Sequence, residues 1–154
     1  MVEEGKKAPD FNLPADGGDK IKLSALKGAP VVVYFYPRDN TPGCTKEAIA
    51  FTELLPEFEK TNAKIIGISP DNVAAHDKFI AKHNLGVRLA ADEEHLTAEK
   101  YGVWVEKSMY GKKYMGVERS TFLINASGKV ARIWRKVKVA GHAEAVLDVV
   151  RELD

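Results

Sequence analysis

Apolar positions along the chain follow two rhythms. Residues 31–36 (Val, Val, Val, Tyr, Phe, Tyr) are continuously apolar, β-branched or aromatic, and Pro37 bounds them. That pattern predicts a strand buried on both faces, as in a mainly parallel sheet. Residues 64–69 predict a second such strand and residues 89–92 a short third one. Between the strands the spacing turns helical. Ala48, Phe51, Leu54 or Leu55, and Phe58 recur on one helix face, which Pro56 is expected to interrupt or kink. Pro70, Asp71 and Asn72 signal a helix start. The helix that follows carries Val73, His76, Phe79, Ile80 and His83 and ends near Asn84, and a shorter helix is predicted over about 94–100. Residues 101–116, rich in aromatics, glycine and lysine, fit a strand or a loop. Residues 120–125 predict a strand, 126–129 a hairpin turn and 130–136 its partner. Ala143, Val146, Leu147, Val150 and Leu153 make a final amphipathic helix. Turn signals fall at 14–19 and 27–30.

Strands alternating with helices, then a closing hairpin and helix, imply an α/β fold: a central mixed sheet flanked by helices, in the thioredoxin-like arrangement. A length of 154 residues suits one domain over 1–154, enough for a sizeable core. Hydrophobic residues are 45% of the chain and charged residues 29%, the balance of a globular protein rather than a disordered one. A net charge of +1 excludes a strong field that would recruit nucleic acid or an anionic membrane. The longest apolar run, 30–35, is too short to cross a bilayer, and residues 1–7 have neither the apolar core nor the cleavage site of a secretory signal. The expected location is the cytoplasm. Residues 132–138 mix bases with Trp134, a pattern found in nucleic-acid binders, but the alternation favours a half-buried strand with a solvated face.

The chain has one cysteine, Cys44. An internal disulfide and a multi-cysteine metal site are therefore excluded. A lone cysteine is either a small buried hydrophobe or a reactive thiol. Its position decides between them. Cys44 follows a predicted buried strand across a short loop and falls at or near a helix start. Reactive groups in α/β sheets gather at the carboxyl ends of strands. Unpaired N–H groups and the helix dipole there favour thiolate, the nucleophilic form. Pro37 and Thr41 precede the sulfur: Pro37 can shield a thiolate from water, and the Thr41 hydroxyl can donate to it or hold a substrate oxygen. Pro42 and Gly43 are expected to form the turn into the helix. Each of these residues alone also fits ordinary loop chemistry.

The segment 35–47, with Pro37, Thr41, Pro42, Gly43, Cys44 and Glu47, resembles the active-site loop of peroxiredoxins of the bacterioferritin-comigratory, or PrxQ, branch. Separated motifs resemble that branch in its order: Gly5, Ala8, Pro9, Phe11 and Leu13; Gly67, Ile68, Ser69 and Asp71; then residues 101–104, 109–112 and 119–124. The similarity runs from Gly5 to the last helix. It implies a thioredoxin-like fold and a thiol-dependent peroxidase that reduces hydrogen peroxide and organic hydroperoxides through a sulfenic acid on Cys44. Arg119 matches the family's active-site arginine, where a guanidinium would stabilise the thiolate and polarise the O–O bond. Glu47 matches a position that orients this arginine, and equally suits a first-turn carboxylate. No cofactor and no metal are implied.

Many members of this branch carry a second, resolving cysteine. Two of its positions are filled here by Ile49 and Ile80. The chain resembles a one-cysteine type, natural or engineered, whose partners would be a hydroperoxide and an external thiol: thioredoxin, glutaredoxin or glutathione. It is expected to work as a monomer or weak dimer, and its longer-lived sulfenic acid is expected to overoxidise more readily. The alternative is a non-enzymatic peroxide-sensing or client-binding protein of the same fold. A thiol–disulfide oxidoreductase would need a Cys-x-x-Cys pair, and positions 41 and 47 are Thr and Glu. His76 and His83, seven residues apart, are expected to be half-exposed helix residues rather than metal ligands, and His142 a cap or surface residue. Trp104, Tyr110 and Tyr114 fit packing or a docking surface alike.

Overall fold

The computed structural model describes residues 2–153. In chain order its elements are β1 (Asn12–Pro14), β2 (Lys20–Lys22), β3 (Val31–Phe35), α1 (Pro42–Glu53), α2 (Leu55–Lys60), β4 (Lys64–Ser69), α3 (Val73–His83) and β5 (Arg88–Ala91). There follow α4 (Leu96–Lys100), β6 (Trp104–Met109), β7 (Lys112–Val117), β8 (Ser120–Ile124), β9 (Val130–Trp134) and α5 (His142–Arg151). A five-stranded sheet runs in the order β5-β4-β3-β8-β9. β3, β4 and β5 are parallel, while β8 lies antiparallel to β3 and β9 to β8. This is the mixed sheet that the hydrophobic pattern predicted.

β3 is central and buried throughout, so its alternate residues serve two cores. Val31, Val33 and Phe35 join Ile66, Ile68, Tyr101 and Phe122 on one face. Val32, Tyr34 and Tyr36 join Phe51, Phe58, Phe79, Val146 and Leu147 beneath the helices on the other. Tyr34 stacks on Phe51 at 4.8 Å between centroids, and its ring crosses the sheet over Gly67. A Cβ on Gly67 would stand 2.7 Å from Tyr34 Cζ and 2.8 Å from Leu89, so only glycine fits.

The helix signals act where the residues predicted. Asn72 caps α3, its side chain accepting from the Ala75 amide, and Asn84 ends it with a left-handed backbone. Pro56 lies in the first turn of α2, where a missing N–H costs nothing, and the expected kink is a break at Leu54 between two helices. The basic stretch after residue 130 includes edge strand β9, where the Arg132 guanidinium lies over the Trp134 ring.

One open reading is resolved and two expectations are corrected. Residues 101–116 hold most of a β-hairpin, β6–β7, turned at Tyr110 and Gly111, both with positive φ. Its strands are mostly exposed, so no alternation of apolar residues marked them. His76 is fully buried rather than half-exposed, because it shares the inner face of α3 with Phe79. His142 opens α5 but is buried, with Nε2 2.7 Å from the Thr121 hydroxyl.

Candidate active site

The chain leaves the carboxyl end of β3 at Phe35 and reaches α1 through residues 36–41. Thr41 takes the N-cap position with an extended backbone, and Pro42 opens the helix. Pro42 and Gly43, expected in the turn, are thus the first helical residues, and Cys44 is the third. The first helical bond runs from the Thr45 amide to the Thr41 carbonyl at 2.9 Å. The amides of Gly43 and Cys44 come before it, among the donors a helix start leaves without an internal acceptor. Cys44 is only 2% exposed.

Arg119 lies between β7 and β8, one residue before β8, the strand that pairs with β3. Its Nη2 donates to Cys44 Sγ at 3.3 Å, and its Nη1 donates to Glu47 Oε1 at 2.6 Å. Cys44 and Glu47 are three residues apart on one face of α1, so one guanidinium spans both. A Cβ on Gly43 would approach Arg119 Nη2 to 3.2 Å, so the absence of a side chain there makes room for the guanidinium.

The charges are strongly coupled. Burial pushes the Glu47 carboxyl up to about 7, against the pull of Arg119. Its second oxygen, Oε2, is buried without a hydrogen-bond partner among the described residues. Burial works against the charge on Arg119, but Glu47 and Cys44 outweigh it and hold the guanidinium more firmly protonated than usual. Burial and, to a lesser degree, Arg119 depress His142 to about 4, so it is neutral at pH 7. Lys107 of β6 is lowered by burial and by Arg119, which adds a second cation to this side of the site.

The structure thus joins Cys44, Arg119 and Glu47. Thr41 is adjacent, but its hydroxyl donates to the Arg38 carbonyl at 2.9 Å rather than to the sulfur. Pro37 is half-buried in the same loop. Trp104 stacks on His95 at 3.9 Å, and Tyr110 stands 99% exposed at the hairpin tip. Ile49 and Ile80 are half-buried and pack against the helical core. Sequence reasoning read Gly43 only as a turn residue and gave Asp39 no role, since space and loop contacts leave no local signature. The one available signal for His76 was its place on the same helix stripe as Phe79. Ligand-capable atoms of Asp39, Asp71 and His76 lie within 4.8 Å of one another, and they are engaged in hydrogen bonds within the loop.

The AhpC/TSA family matches residues 4–133. The chain belongs to this family. Within it, the Bcp peroxiredoxin of Bacillus subtilis is 48% identical over 152 residues, covering 99% of this chain and 97% of that protein. The solved bacterioferritin comigratory protein of Xanthomonas campestris, described by its alkyl peroxide reduction activity, superposes with a TM-score of 0.91 at 45% identity, over 97% of this chain and 98% of that one. A yeast mitochondrial 1-Cys peroxiredoxin, described as resolved by glutathione and thioredoxin systems, gives a TM-score of 0.83 at 28% identity, over 98% of this chain and 76% of that one. This peroxiredoxin therefore has the thioredoxin-like α/β fold and the branch that its motifs implied. The Xanthomonas protein has also been solved with serine at each of two positions that carry cysteine. Counting the interval between those positions onward from Cys44 reaches Ile80.

Proposed function

We propose that this peroxiredoxin is a one-cysteine thiol peroxidase with Cys44 as nucleophile. The observation that carries the reading is the single guanidinium of Arg119 bridging Cys44 Sγ and the buried Glu47 at the start of α1. The thiolate attacks one peroxide oxygen. An S–O bond forms as the O–O bond breaks, and the departing oxygen takes a proton to leave as water or an alcohol. Arg119 stabilises the thiolate and then the charge growing on the departing oxygen. Glu47 holds Arg119 in place. The Thr41 hydroxyl has committed its proton to Arg38, so its oxygen is left to accept from the peroxide hydroxyl. Pro37 shields the sulfur.

The sulfenic acid then reacts with an external thiol, releasing water and leaving a mixed disulfide, which a second thiol reduces. With Ile49 and Ile80 at the two resolving positions, thioredoxin, glutaredoxin or glutathione supplies both thiols. The likeness to the yeast one-cysteine enzyme supports this route. The protein works as a single domain, a monomer or weak dimer, in the cytoplasm.

Stopped-flow tryptophan fluorescence during reaction with hydrogen peroxide tests the reading. Cys44 oxidises orders of magnitude faster than free cysteine, Cys44→Ser shows no reaction, and Arg119→Ala slows it by about 100-fold or more. Oxidation at the rate of free cysteine would overturn the peroxidase reading in favour of a binding role.

A further inference from the structure

The loop of residues 36–41, which delivers the chain to Cys44, is clasped by two histidines of α3 that lie two turns apart. His83 Nε2 is 3.0 Å from Asn40 Oδ1, and Asn40 has a left-handed backbone. His76 is wholly buried, with Nδ1 2.7 Å from Asp39 Oδ2 and Nε2 3.0 Å from the Ala90 carbonyl. A carbonyl has no proton to give, so Nε2 carries one. The opposite nitrogen then faces a carboxyl oxygen at 2.7 Å, and one of these two must also hold a proton. Either an imidazolium donates to a carboxylate, or a carboxyl donates to an imidazole.

The rest of Asp39 is equally engaged. The Tyr36 hydroxyl donates to Asp39 Oδ1 at 2.6 Å, and burial raises that phenol well above its ordinary pKa, so it keeps its proton. The Asp39 amide donates to Asp71 Oδ2 at 2.8 Å, which also accepts from the Ser69 hydroxyl at 2.6 Å. The titratable groups around His76 are therefore Tyr36 from the end of β3, Asp39 from the loop and Asp71 from the β4–α3 connection. β5 contributes the Ala90 carbonyl. Asp39 is held at its amide and at both carboxyl oxygens, two residues before the N-cap of α1.

We propose that Asp39 and His76 are positioning residues of the peroxidase site, sharing one proton that locks residues 36–41 to α3. The lock sets the direction in which α1 starts, and so the approach of Cys44 Sγ to Arg119. The proposal rests on the peroxidase reading for its rate measurement, while its structural readouts are independent of it.

Asp39→Asn and Asp39→Ala in the full chain separate the lock from bulk and charge. Asparagine accepts from Tyr36 through its carbonyl and donates to a neutral Nδ1 through its amide, so it preserves the lock without the shared proton. Oxidation of Cys44 is expected to stay within about threefold in Asp39→Asn and to fall roughly 10- to 100-fold in Asp39→Ala. Asp39→Ala also speeds tryptic cleavage after the exposed Arg38, mapped by mass spectrometry. Nitrogen-15 spectra of the His76 ring, read with the carbon-13 shift of the Asp39 carboxyl, show one shared proton beyond Nε2–H in the wild type. They show a neutral imidazole in Asp39→Asn. His76→Leu behaves as Asp39→Ala, with thermal melting as the check on folding. Asp39→Ala with wild-type oxidation and wild-type cleavage at Arg38 overturns the lock. Asparagine as damaging as alanine overturns a lock made of hydrogen bonds alone, and a neutral His76 beside an ionised Asp39 overturns the shared proton. A wild-type Cys44 no faster than free cysteine counts against the peroxidase reading alone, since cleavage and spectra still judge the lock.

Discussion

Two segments border the cysteine and are held in opposite ways. Residues 36–41 have no strand or helix of their own. Asp71 before α3 and His76 and His83 of α3, with Tyr36 at the head of the segment, hold them through hydrogen bonds at Asp39 and Asn40. The β6–β7 hairpin leads into Arg119 from the other side and is held by its own ladder, with Lys107 opposite Tyr114 and Val105 opposite Gly116. Its far end is solvated, with Met109 and Tyr110 exposed. A segment built from foreign contacts transmits any change in them to the helix it feeds. A segment closed on itself absorbs change at its tip. Chemistry should therefore be sensitive to substitutions under the loop and indifferent to those at the hairpin tip.

The largest stability effect is expected within the central sheet, where β4 passes beside β3. In Gly67→Ala the new methyl collides with the Tyr34 ring and Leu89, neither of which has free space in the core. A loss of about 1–3 kcal/mol is expected in urea unfolding, and a stability equal to the wild type would show that Tyr34 can move. Next is Gly43→Ala, where activity and stability should part. The methyl displaces the guanidinium by a few tenths of an ångström, and Cys44 oxidation slows, while replacing a helical glycine adds about 0.5–1 kcal/mol to stability. Parallel changes in both would break the argument that Gly43 is kept for Arg119.

Smaller effects follow from pH. Burial raises Glu47 from 4.5 to about 7, so its contribution to stability is complete below pH 4.5 and is lost as pH rises to 7. His142 is depressed from 6.5 to about 4, so its contribution is complete above pH 6.5 and is lost as pH falls toward 4. Glu47→Gln should remove the first slope and His142→Asn the second in urea unfolding repeated across this range. Slopes that survive these substitutions would mean that other groups carry them. The smallest effect belongs to the hairpin tip: Tyr110→Ser should alter stability by no more than about 0.5 kcal/mol and leave Cys44 oxidation untouched. A large loss of rate there would end the contrast between the two segments.

The same contrast separates what was legible from what was not. β3, β4, β8 and the stripe of α5 stood out because burial on a sheet or helix face imposes a period on the residues. Cys44 stood out because it falls at a helix start after a buried strand, and Pro37 and Thr41 because the loop before it resembles the family's active-site loop. The β6–β7 hairpin buries little and so left no period. Of the two readings of the Thr41 hydroxyl, the structure shows its proton on the Arg38 carbonyl rather than the sulfur, and no spacing rule ranks those two acceptors.

The sequence by itself determined the α/β order of elements, the single thiol at a helix start after a buried strand, and the apolar residues at the positions where relatives carry a resolving cysteine. The first two follow from periodicity and capping, which are local, and the third from the resemblance of separated motifs to the family. Only the tertiary structure decided that Arg119 reaches Cys44 and Glu47 from 75 and 72 residues away. It also decided that Gly43 leaves room for that guanidinium, and that His76 is an inner clasp on Asp39. Those relations depend on which strands lie side by side and how closely their side chains approach, and distance along the chain carries neither.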